Sequence, residues 1–159
     1  MLDLQLCKVL LFDDTNYPCW LVLVPRRVRG PAVPLALAHP PPLPPAHTPL
    51  SPLPRGPVLT LGGVACQNGL REMHDLPEEE QLQLMREINR CSRTLQDLFS
   101  PAKMNVAAIG NMCNQLHIHV TCRIEEDPAW PGPCYGLPRT EFAPDALADM
   151  LARLRAALA

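Results

Sequence analysis

The six residues from Gln115 to Val120, QLHIHV, place two imidazoles one residue apart inside an apolar run. Alternate side chains of a strand share a face, so His117 and His119 stand on one side, roughly 6–7 Å apart at the backbone. Gln115, Thr121 and Arg123 extend that side, while Leu116, Ile118, Val120 and Cys122 point the other way, towards a core. Such a row can bind an anion, hold a metal or do nucleophilic chemistry. It can also be an ordinary solvated strand face. Zinc needs ligands beyond two histidines; His74 is the candidate third, with nothing in its spacing that requires proximity. A nucleophilic histidine needs a neutral ring, available near neutral pH because the unperturbed pKa is about 6.5. One nitrogen attacks, and a hydrogen-bond acceptor must hold the other so that the tautomer is fixed.

The elements that must position this row follow from the apolar pattern. Cys7–Phe12 (CKVLLF) and Trp20–Val24 (WLVLV) read as strands, and Asp13-Asp14-Thr15-Asn16-Tyr17-Pro18 between them carries turn chemistry, which predicts a hairpin. DLPEEEQ predicts a helix start, with Asp75 as N-cap three residues before Glu78, Pro77 near the first turn and acids at the positive end of the dipole. Leu84, Ile88, Cys91, Leu95 and Leu98 then recur at helical spacing, so a helix spans about 76–99 until Pro101 stops it. Met104–Ile109 and Leu116–Ile124 are two further strands joined through Gly110-Asn111, and a last helix spans 145–158, lined by Leu147, Met150, Leu151, Leu154 and Leu158. Hairpins rather than helical crossovers join the strands. The expected fold is therefore α+β, an antiparallel sheet with two main helices.

Composition narrows the function. The chain has 159 residues and a net charge of only −2, which disfavours a broad electrostatic grip on nucleic acid. No apolar stretch approaches the roughly 20 residues needed to span a bilayer, and no secretion signal is read at the N-terminus. The seven cysteines are odd in number and form no Cys-x-x-Cys pair. The expectation is reduced thiols, several of them core residues, in an intracellular, cytoplasmic protein.

One segment breaks the pattern. Eleven of the twenty prolines fall between Pro31 and Pro57, and between Val28 and Gln67 the only charged side chains are Arg29 and Arg55. Proline removes backbone donors and fixes φ, so the stretch fits neither a helix interior nor a central strand. The chain reads as a single domain over 1–159 interrupted by an irregular, proline-rich insertion at 28–67. A docking ligand for a proline-binding module is the functional alternative.

QLHIHV resembles the signature of the histidine triad (HIT) superfamily, His-x-His-x-His followed by apolar residues, with Gln115 in place of the first histidine. CKVLLFDDTNYP, WLVLVPRR, GLREMHDLPEEEQLQLM, KMNVAAIGNM and DPAWPGP resemble, in order, a branch of small diadenosine polyphosphate hydrolase-like HIT domain proteins. Asn114 and Cys134-Tyr135 depart from that pattern. The resemblance implies an enzyme that attacks the α-phosphate of a nucleotide conjugate, a dinucleoside polyphosphate or nucleoside phosphoramidate, through a nucleotidyl-histidine intermediate. By position His117 matches the nucleophile and His119 the neighbouring histidine that contacts phosphate or leaving group. Gln115 could donate to a phosphate oxygen but cannot act as an acid near neutral pH. Asn105 and Asn111 match the region that contributes polar contacts, and Asp14 the hairpin position that contacts ribose. Arg123 and Arg26-Arg27 are further candidates to hold phosphate. The scheme demands no cofactor and no metal; its partner is a nucleotide-containing small molecule, and homodimers are common among such proteins.

Two other readings compete: a non-catalytic nucleotide-binding or regulatory protein with the same fold, and a structural or metal-binding small domain. In the resembling proteins VPRR runs almost directly into NGLREMHDL, whereas forty residues, Val28 to Gln67, intervene here. Valine codons begin with GT and glutamine can be encoded CAG, the usual borders of an intron. If the segment is an unspliced, in-frame intron, sequencing transcripts across this junction will find the spliced form dominant. Abundant full-length message in translated RNA would establish a genuine insertion.

Overall fold

The computed structural model describes residues 2–26 and 69–159; the predicted proline-rich insertion at 28–67, with Arg27, lies outside the described residues. A short strand absent from the sequence reading, Leu2–Asp3 (β1), precedes the predicted hairpin of Cys7–Leu11 (β2) and Trp20–Pro25 (β3). Lys103–Ala108 (β4) and Ile118–Arg123 (β5) complete an antiparallel sheet in the order β1-β2-β3-β5-β4. Two helices, Glu78–Phe99 (α1) and Pro144–Leu158 (α2), make the fold α+β, as expected.

The sheet order puts β5 between β3 and β4. Its register sets Val22 of β3 and Ala107 of β4 on either side of His119, and Trp20 and Asn105 on either side of Thr121. Every residue of β5 is buried. The inner face behaves as the alternation predicts. Leu116, Ile118, Val120 and Cys122 join Leu21 and Leu23 of β3 in one core, together with Leu84, Ile88, Cys91 and Leu95 of α1 and Leu154 and Leu158 of α2. The spacing of those four α1 residues keeps them on one stripe of the helix. Both helices therefore pack on the same side of the sheet. Of the five residues expected to line α2, Leu154 and Leu158 are buried, whereas Leu147, Met150 and Leu151 are half-exposed.

The ends of α1 show where local rules yield to context. Asp75 is not its N-cap. It closes a one-turn 3-10 segment, Met73–Asp75, and its carboxylate accepts from the backbone N–H groups of Arg71 (2.8 Å) and Glu72 (2.9 Å), which holds its pKa below the usual range. The helix begins after Pro77, whose extended backbone makes it the N-cap, and Glu78, Glu79 and Glu80 occupy the first turn. At the other end Ser100 turns into the left-handed region (φ 44°), and its N–H caps Gln96 before Pro101 forbids another turn.

Polar pins join the elements. Glu87, buried on the inner stripe of α1, accepts from the backbone N–H groups of Leu6 (2.7 Å) and Cys7 (2.8 Å) at the β1–β2 turn. Arg26 clasps the same turn, donating to the carbonyls of Leu4, Gln5 and Leu6 and lying 3.6 Å from Asp3. It is thus engaged in structure rather than presented to a ligand. Arg90 of α1 donates to the Leu158 and Ala159 carbonyls at 2.7 and 2.8 Å, a cation at the negative end of α2.

Cys7, Cys19, Cys91, Cys122 and Cys134 are buried free thiols. Burial holds all five above the ordinary thiol range, with Cys91 and Cys122 pushed up to about 12, so they fill space as protonated groups. Cys113 departs from the expectation of reduced thiols throughout, because it is disulfide-bonded. No helix among the described residues is long and apolar enough to cross a membrane.

Replacing Glu87 by Ala leaves two buried N–H donors without their acceptor. The expected cost is roughly 2–4 kcal/mol, with a smaller loss for Glu87→Gln, which keeps one acceptor oxygen. Urea unfolding monitored by circular dichroism should show that ranking; equal midpoints for all three proteins would remove Glu87 from the set of structural pins.

Candidate functional site

The outer face of β5 carries the polar row, but it is not a solvated face. Gln115, His117, His119, Thr121 and Arg123 are all buried. A buried polar atom without a partner costs free energy, so each ring nitrogen and guanidinium proton that loses water needs a replacement. The partners found along the row define what it can do.

His117 lies just before β5. Its Nδ1 is 2.6 Å from the carbonyl oxygen of Gln115. A carbonyl can only accept, so Nδ1 is the protonated nitrogen and Nε2 carries the lone pair. Beside it a cleft of about 430 Å³ opens, within the range of small-molecule sites. Its walls come from the end of β4 and the following turn (Ala108 to Asn111), the entry to β5 (Asn114 to His117), and Arg71 with Glu72.

His119 lies next along the row, its ring centre 4.9 Å from that of His117 and the planes at 76°. Aromatic rings surround it: Trp20 at 5.5 Å, Tyr135 at 5.3 Å and Phe12 at 6.4 Å between centres. Trp20 Nε1–H donates to His119 Nδ1 at 2.9 Å. Burial, and secondarily the neighbouring His117, lowers the His119 pKa to about 4, so this imidazole is neutral at physiological pH.

Arg123, a candidate phosphate holder in the sequence, ends the row as a structural pin. It donates from Nε and Nη2 to the two carboxylate oxygens of Asp127 (2.6 and 2.9 Å), from Nη1 to Asn105 Oδ1 (2.6 Å) and from Nη2 to the Gly132 carbonyl (2.9 Å). Tyr17 and Trp130 lie near the guanidinium, at 5.8 and 5.7 Å to their ring centres. Burial alone would raise the Asp127 carboxyl. The Arg123 hydrogen bonds and the Ala129 N–H outweigh it and hold the group ionised, below its ordinary value.

The sequence-predicted residues therefore separate into two groups. His117, Gln115 and Asn111 meet at the cleft. Asn105 is engaged with Arg123, across from Thr121. Asp14 is a buried turn carboxylate that accepts from the N–H groups of Asn16 (3.1 Å) and Thr140 (3.2 Å), tying the β2–β3 turn to the segment before α2. His74 is exposed and lies 4.0 Å from Asp75. Among the described residues no three His, Cys, Asp or Glu side chains are grouped to hold a metal ion. Sequence reasoning missed Arg71 and Glu72 as cleft walls and Trp20 as the partner of His119. The Trp20 contact follows the diagonal-neighbour rule, since Trp20 pairs with Thr121 two residues along, but only once β3 is known to lie beside β5.

The HIT domain family model matches residues 52–126, a range that includes both histidines. A histidine triad protein from Bradyrhizobium japonicum is 32% identical, over 99% of this chain and 87% of its own, with a TM-score of 0.70. One from Marinobacter aquaeolei is also 32% identical, over 98% and 85%, at 0.69. A third, from Sinorhizobium meliloti, is 25% identical over 96% and 84%, at 0.68. A search of curated proteins found no match. The chain belongs to the histidine triad family.

The low basicity of His119 has a consequence for stability. Above about pH 6.5 the ring is neutral in folded and unfolded chains alike. Between 6.5 and 4 the unfolded chain takes the proton and the folded one does not, so stability falls as the pH drops, by roughly 3 kcal/mol in total. An NMR titration of the His119 ring should have its midpoint near 4. A midpoint near the unperturbed value of about 6.5 would mean that the ring is hydrated.

Proposed function

We propose that the protein is a nucleotide-conjugate hydrolase or nucleotidyl transferase in which His117 is the nucleophile. One observation carries this reading: the Nδ1–H to Gln115 carbonyl bond leaves Nε2 with its lone pair in a ring that lines the cleft. In the first step Nε2 attacks the α-phosphorus. An N–P bond forms, and the bond from phosphorus to the leaving group breaks with its electron pair on the leaving group. The ring becomes a cation, and the Gln115 carbonyl, already the acceptor of Nδ1–H, steadies that charge. Water then attacks phosphorus, a P–O bond forms with loss of a proton to solvent, the N–P bond breaks with its electron pair returning to Nε2, and the nucleoside monophosphate departs.

Pre-organised donors are the help this chemistry needs, because charge gathers on the phosphoryl oxygens as phosphorus becomes five-coordinate. The Gln115 amide, Asn111 and the Arg71 guanidinium are the groups assigned to that charge. Gln115 has no proton to give near neutral pH, so the leaving group takes its proton from water. The substrate class is a dinucleoside polyphosphate or a nucleoside phosphoramidate, as in the hydrolase branch that the sequence resembles. Asn105 and Asp14 are left with positioning roles, through Arg123 and the β2–β3 turn respectively.

The test is incubation of the purified protein with adenosine phosphoramidate and with diadenosine polyphosphates, with and without a chelator, beside His117→Ala. AMP release should survive the chelator and fall at least about 10³-fold in the variant, because the covalent route is lost. Binding without turnover would instead support a regulatory nucleotide-binding protein, and release unaffected by His117→Ala would remove His117 from the mechanism.

A further inference from the structure

The partner of His119 assigns a task to a residue outside the polar row. We propose that Trp20 is a positioning residue whose indole N–H, by occupying Nδ1 of His119, holds that ring, next along the row from His117, in the Nε2–H tautomer. The catalytic half of this inference rests on His117 being the nucleophile; the tautomer half does not.

The indole nitrogen can only donate. At 2.9 Å from Nδ1 it requires a lone pair there, so the neutral ring must carry its proton on Nε2. The Gln115 carbonyl imposes the reverse on His117. Two adjacent imidazoles, 4.9 Å apart, are therefore held in opposite tautomers by two partners of opposite polarity. The row thus offers one nucleophilic nitrogen and, on the neighbouring ring, one N–H. With the other tautomer Nε2 of His119 would carry a lone pair instead of a proton, and a lone pair repels a phosphoryl oxygen where an N–H would accept its charge.

Trp20 is itself held. It is buried at the start of β3, its ring 4.3 Å from Phe12 and edge-on to Tyr17 (5.3 Å) and Tyr135 (5.5 Å). A donor on a packed ring stays in place through the reaction, and donors that need not reorient are the ones that lower a barrier.

The experiment uses the full chain with ¹⁵N-labelled histidine. Long-range ¹H–¹⁵N spectra of the wild type should show His119 protonated at Nε2 and His117 at Nδ1. In Trp20→Phe the donor is gone, so His119 should become a mixture of tautomers while His117 keeps its own. If that variant does not fold, a tryptophan analogue with sulfur in place of the indole N–H, placed at position 20, keeps the shape and removes the donor. In either protein AMP release should lose about tenfold in kcat with little change in KM, less than the roughly 10²–10³ that follows outright deletion of an oxyanion donor. His119 protonated at Nδ1 in the wild type, an unchanged tautomer without the indole donor, or an altered tautomer with unchanged kcat would each overturn the proposal. Opposed tautomers in a protein that releases no AMP would sink the hydrolase reading and the catalytic half with it, while supporting the hold of Trp20 on His119.

Discussion

A polar row buried on a central strand forces a choice at each of its imidazoles. Between β3 and β4, the strand β5 has no free edge, and its outer face is screened from water. Each imidazole there must find a donor or an acceptor, and the kind of partner decides which ring nitrogen keeps its proton. A carbonyl at one ring and an indole at the next give opposite answers. The tautomers, and with them the chemistry available, follow from hydrogen-bond satisfaction rather than from the histidines alone.

The same requirement divides the row along its length. At the Arg123 end a full charge is buried, which is tolerable only when the pairing is complete. Asp127, Asn105 and the Gly132 carbonyl supply it, and the loop that bears Asp127 and Gly132 closes over that end of the strand. At the His117 end the residue lines a cleft, and the Gln115 carbonyl takes Nδ1–H, not Nε2. One end is locked and the other is left open.

The helices explain why that face is available. Both bury their apolar stripes on the opposite side of the sheet, where Glu87 and Arg90 fasten them to the β1–β2 turn and to each other. The five free thiols among the described residues lie buried and protonated, which leaves them poor nucleophiles.

Much of this was legible in the residues. Period-two alternation marked the strands, period-3.6 spacing marked α1, and His-x-His placed both rings on one face. Each of these is a local rule that acts over a few residues. Three features were not legible: the depth at which the row is buried, the conversion of Arg123 from a candidate phosphate ligand to a pin, and the grip of Trp20 on His119. All depend on β3 and β5 lying side by side although 92 residues separate Pro25 from Ile118, and on a loop folding back over Arg123. Asp75 failed as an N-cap for a related reason, since a one-turn segment claimed its carboxylate first. The sequence by itself determined which residues share a face and which types could do chemistry there. Tertiary structure decided which of them touch, because contacts between distant segments are set by strand order and register, which local spacing does not encode.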